Sequence, residues 1–64
     1  MLTPEQTEIA DVYAARIRNA ETIVEMDNVL IQLHVYIDRM ERRNKEFNSR
    51  ELLGYIMAQV STAS

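Results

Sequence analysis

The chain has 64 residues, no cysteine, one histidine and a formal net charge of −3. These values exclude disulfide staples and thiolate metal sites, and they disfavour bulk attraction to nucleic acid or to an anionic membrane surface. A chain of about 60 residues buries only roughly 60% of its unfolded surface, so self-association is the remaining way to supplement a small core.

Hydrophobic content of 47% against 27% charged residues marks a folded domain rather than a disordered tail. One glycine and one proline are too few for a β-rich chain, which needs turn residues at short intervals. The fold class expected is all-α, with residues 1–64 as a single domain. The first residues, Met1 to Gln6, lack the basic and apolar regions of a signal peptide, and no apolar run approaches the roughly 20 residues of a membrane span. A cytoplasmic location is therefore expected, with no membrane contact.

Thr3, Pro4 and Gln6 form the start signal of a first helix: an N-cap, a proline at the first helical position and the acceptor of a capping box. Ile9, Val12, Tyr13, Ile17 and Ala20 follow at helical spacing, which predicts a helix over about 4–19. Asn19 is a plausible stop, and Thr22 with Glu25 opens a second capping box, so a long helix over about 23–46 follows a short kink. The competing reading is one unbroken helix over 4–46. Asn48 or Ser49 caps a third helix over about 49–60, with Leu52, Leu53, Ile56, Met57 and Val60 as its apolar face and Phe47 as a staple. Residues 61–64 read as a frayed tail.

The long helix carries two apolar stripes where a helix that packs once needs one. The broad stripe holds Ile23, Met26, Val29, Leu30, Leu33, Tyr36, Ile37 and Met40, and the second holds Val24, Ile31 and Val35. Asn28, Gln32 and Arg39 separate them on one flank, and Asp27, His34 and Asp38 on the other. Burying a branched aliphatic stabilises by about 1.5–3 kcal/mol, so the second stripe implies a partner, and a twofold homodimer is the commonest solution. Val24, Ile31 and Val35, together with Tyr36 from the broad stripe, are the candidate self-association residues.

Charge is uneven. Residues 1–30 hold Glu5, Glu8, Asp11, Glu21, Glu25 and Asp27 against Arg16 and Arg18, whereas residues 39–50 hold Arg39, Arg42, Arg43, Lys45 and Arg50 against Glu41 and Glu46. If the first two helices pack antiparallel, Glu5 and Glu8 lie near Arg42, Arg43 and Lys45. The basic run also complements a C-terminal helix dipole. Arg39, Arg42, Arg43 and Lys45 are candidate partner-binding residues, joined by Tyr55, which the helical projection turns away from the apolar face of the third helix. Gly54 is unusual inside a helix; with Ala58 it forms a small patch that another helix can approach.

Catalytic candidates are few. His34 and Asp38 share a face and can pair, but catalysis needs a nucleophile, a base and an oxyanion donor converging in a pocket. With Asp27 or Glu41 the same pair is the nearest approach to a metal set. The reading adopted is a surface histidine, with no enzymatic activity, no cofactor and no metal.

The passage Arg18-Asn19-Ala20-Glu21-Thr22-Ile23-Val24-Glu25-Met26 resembles the hinge of many small bacterial and phage helical proteins, where a helix ends on a small residue and a threonine caps the next. It is similar to the Hha/YmoA family of nucleoid-associated regulators, although the flanking pattern differs. In size, composition and hinge the chain resembles the small accessory proteins encoded in the exo–xis early region of lambdoid temperate phages. That resemblance implies a regulatory or adaptor protein acting on host replication or development through contact with a host protein. The alternative is a transcriptional or nucleoid regulator binding nucleic acid through residues 39–50.

Overall fold

The computed structural model describes residues 1–62 and holds three helices: α1 (Pro4–Asn19), α2 (Ile23–Arg43) and α3 (Ser49–Thr62). The class is all-α, in the short–long–short order that the capping signals predict, and no strand occurs among the described residues. The whole measures 34 × 22 × 16 Å, so its long dimension is close to the ~31 Å of a 21-residue helix.

Side chains set each boundary. At the head of α1 the Thr3 hydroxyl accepts from the Gln6 amide at 3.1 Å, and Gln6 Oε1 accepts from the Thr3 amide at 3.2 Å. Gln6 is buried, and this reciprocal box gives its side-chain oxygen a donor. Ala20 leaves the helix in an extended conformation, φ −66° and ψ 124°, which breaks the single rod over 4–46. The Thr22 hydroxyl then accepts from Glu25 N at 3.1 Å. The Glu25 carboxylate reaches one residue further back than a standard box, to the Glu21 amide at 2.7 Å.

The end of α2 corrects the expected boundary. The helix stops at Arg43 rather than at residue 46. Asn44 is extended, and its side-chain oxygen accepts from the Glu46 amide at 3.0 Å while its carbonyl accepts from Phe47 N at 3.1 Å. That local pairing competes with continued helix, as asparagine side chains commonly do. Asn48 caps α3, its Oδ1 accepting from Glu51 N at 3.1 Å. α3 runs to Thr62, two residues past its expected end, with the Thr62 hydroxyl donating to the Gln59 carbonyl. Fraying expected at 61–64 is thus absent at 61–62, and residues 63–64 lie outside the described residues.

Directions follow from pairings. Tyr13 stacks at a tilt on Tyr36, 6.2 Å between centroids, and Arg16 Nη1 donates to Gln32 Oε1 at 2.6 Å, so α1 and α2 are antiparallel. The Met1 amino group meets Glu51 at 2.9 Å, and the Tyr55 hydroxyl donates to Asp11 at 2.7 Å, so α3 runs in the same sense as α1. The core is Ala10 and Ala14 from α1, Leu33 and Ile37 from α2, and Leu52 and Ile56 from α3. Phe47 sits against it, its ring edge-on to Tyr36 at 6.4 Å.

Expectations about faces change on all three helices, and on α3 Met57, placed on the apolar face, is 69% exposed. The buried centre of α1 is Gln6, Ala10 and Ala14, and Val12 is exposed. The face predicted from bulky residues is rotated because α1 packs against both other helices, and small side chains line that double contact. On α2, Val29, Leu33 and Ile37 are buried as expected, but Ile23 is 81% exposed. The ion pairs proposed between Glu5 or Glu8 and the basic run do not form; Arg42 pairs instead with Asp38 on its own helix at 3.3 Å.

Gly54 faces open space, with nothing within 4 Å of a Cβ built there, and its φ is negative. Replacing it by alanine removes the backbone-entropy cost of a helical glycine, so Gly54→Ala should raise stability by about 0.8–1 kcal/mol in chemical denaturation. A lower midpoint would show that a neighbour occupies the space.

Candidate self-association surface

At about 100° per residue, the core-facing side of α2 centres on Leu33, and the stripe of Val24, Ile31 and Val35 lies about 180° from it. Because α1 and α3 both lie on the Leu33 side, the second stripe has no intramolecular cover. Val24 is 69% exposed, Ile31 61% and Val35 45%. A shallow open groove runs along it, lined by Asp27, Leu30, Ile31, His34 and Val35. Leu30 and Ile23, placed in the broad stripe by periodicity, extend this exposed apolar surface. They sit at the edge of the buried arc next to His34, and that edge position was the signal available in the sequence.

Tyr36 does not belong to this surface. It is half-buried on the core side between Tyr13 and Phe47, so the self-association set is corrected to Val24, Ile31 and Val35. Burial pushes the Tyr36 phenol above its ordinary value, with Glu5 and Tyr13 adding to the rise.

His34 donates from Nδ1 to the Leu30 carbonyl at 3.0 Å, since a carbonyl can only accept. The His34 side chain is exposed. Asp38 is held by Arg42, so the His34–Asp38 pair considered from spacing does not form. Among the described residues no group of three or more His, Asp or Glu side chains is placed to hold a metal ion. No described helix is long and apolar enough to cross a membrane.

The candidate partner-binding residues separate into two situations. Arg39, Arg42, Arg43 and Lys45 are all exposed around the α2–α3 turn, and Arg50 joins them from α3. Tyr55 does not project outward. It packs against the core, and its hydroxyl hydrogen-bonds Asp11 across the α1–α3 seam. That hydrogen bond is the largest cause of a phenol pKa above the ordinary value. The projection turned Tyr55 away from the apolar face of its helix; α1, closing on that side, makes it a contact instead.

Comparison of the chain with protein-family models, with characterised proteins and with solved structures gives no match.

Both raised phenols stabilise the fold in their neutral form. Their contribution is complete below the ordinary tyrosine value of about 10 and is lost as pH rises through the higher folded values. Unfolding free energy should therefore fall on the alkaline side of that value. Replacing both residues with phenylalanine should flatten the slope; an unchanged slope would place its origin elsewhere.

Proposed function

We propose that this protein is a small non-catalytic regulatory or adaptor module that dimerises through the outer face of α2 and binds a second protein through its basic α2–α3 turn. The observation that carries the reading is the stripe of Val24, Ile31 and Val35, exposed on the side of α2 directly opposite the core. Exposed aliphatics scattered singly are ordinary, but three on the one face of a helix that no other helix covers fit an interaction surface.

The resemblance of its hinge, size and composition to lambdoid phage accessory proteins extends the proposal to a role in modulating host replication or development. Exposure of Arg39, Arg42, Arg43, Lys45 and Arg50 around one turn favours a second reading, contact with nucleic acid. Net charge of −3 and the intervening Glu41 and Glu46 oppose it.

Light scattering coupled to size exclusion should give twice the chain mass for the native protein and the monomer mass for Ile31→Asp, with helicity unchanged. A native monomer overturns the proposal. In a mobility-shift assay with duplex DNA, no retardation is expected at moderate ionic strength. Retardation that weakens steeply with salt would transfer the basic turn to the second reading.

A further inference from the structure

We infer that two copies pair α2 against α2 in antiparallel order, with Ile31 at the twofold axis, so that Asp27 of each copy faces His34 of the other. The inference rests on the self-association reading above and specifies its geometry.

Asp27 and His34 line the same groove as Ile31 and Val35, and both lie on the same flank of the outer stripe. Asp27 is four residues before Ile31, and His34 is three residues after it. A twofold axis through Ile31, perpendicular to antiparallel helices, keeps equivalent flanks on the same side and inverts the residue order. At about 1.5 Å per residue, Asp27 and the partner's His34 then stand within about 1.5 Å of the same height. His34 is available for this contact, because its side chain is exposed and its Nδ1 is engaged by the Leu30 carbonyl.

Parallel order gives a poorer match. It sets each flank against the opposite one, which brings Asp27 toward Gln32 and His34 toward Arg39 of the other copy. It also stacks the acidic start of α2, with Glu25 and Asp27 and with Glu21 just before it, on its own copy, and the basic end, with Arg39, Arg42 and Arg43, on its own copy. Antiparallel order lays the acidic start of each helix beside the basic end of the other. Charge complementarity of this kind selects orientation.

The contact makes association sensitive to pH. A protonated imidazole attracts the facing carboxylate and a neutral one does not, so the added affinity is present in acid and fades as the medium becomes alkaline. The groove around His34 is lined by α2 alone. The other carboxylate near His34 is Asp38, already paired with Arg42.

The chain has no native cysteine, so engineered ones report orientation directly. Val24 and Asp38 are equidistant from Ile31 and both exposed. Oxidising a mixture of Val24→Cys and Asp38→Cys should yield the mixed disulfide, whereas Val24→Cys alone should not cross-link. The native dimer's dissociation constant, followed by sedimentation equilibrium, should fall severalfold from pH 8 to pH 5.5, and Asp27→Asn should abolish that response. A native protein that stays monomeric overturns both the self-association reading and the pairing. A dimer whose Val24→Cys form cross-links to itself keeps self-association and overturns the antiparallel order. A dimer that gives neither disulfide uses another face, and a pH response that survives Asp27→Asn removes the Asp27–His34 contact.

Discussion

Ala10 and Ala14 are 0% and 1% exposed, and because neither side chain extends past Cβ, two neighbouring helices can both close on α1. The shortness of these side chains sets the rest of the arrangement. It lets Leu52 and Ile56 of α3 and Leu33 and Ile37 of α2 reach one another around α1, forming one core instead of two weak pairs. A larger residue at either position would force off-rotamer packing along the whole seam. Each seam of α1 carries a polar tie, Tyr55 on Asp11 against α3 and Arg16 on Gln32 against α2.

With α1 between its neighbours, α2 meets the core on one side only. A helix of 21 residues that used its full apolar content internally would need a partner on each side. Two shorter helices, both committed to the same side, cannot supply one. The exposed stripe of Val24, Ile31 and Val35 is thus a consequence of how the core is built, not an isolated surface feature. The same argument separates Tyr36 from that stripe: Tyr13 and Phe47 enclose its ring on the core side.

What the sequence made legible was local. Capping chemistry acts within four residues, so Thr3 with Gln6 and Thr22 with Glu25 marked their helix starts correctly. The second stripe was legible for the same reason, since periodicity is a property of one helix. Misplaced features all depended on a second element. The buried face of α1 was read from its large residues, but contact with two helices selected its alanines. Tyr55 was read as outward until α1 closed on it. The pairing of Glu5 and Glu8 with the basic run assumed that opposite charges near one another in a hairpin will meet; Asp38, one helical turn from Arg42, is the nearer partner. Asn44 is the exception, a local signal read too weakly: its side chain turns the backbone before the helix can reach residue 46.

The dimer proposed above also bears on the choice between a protein and a nucleic acid as the further partner. In an antiparallel pair centred on Ile31, the Arg42 side chains of the two copies stand roughly 33 Å apart along the helices. That spacing suits a partner with two separated acidic patches, which gains avidity from engaging both ends at once. It is also close to the ~34 Å between successive major grooves on one face of a duplex, so spacing alone does not discriminate. Charge along the path does. Between the two basic turns lie Asp27 and Asp38 of each copy, and two chains of net charge −3 make a dimer of −6. A continuous phosphate backbone would have to pass over those carboxylates, and each repulsion would offset part of what the arginines contribute. A protein partner with its acids confined to two patches meets the arginines without crossing the carboxylates, and that is the class of partner the charge distribution favours.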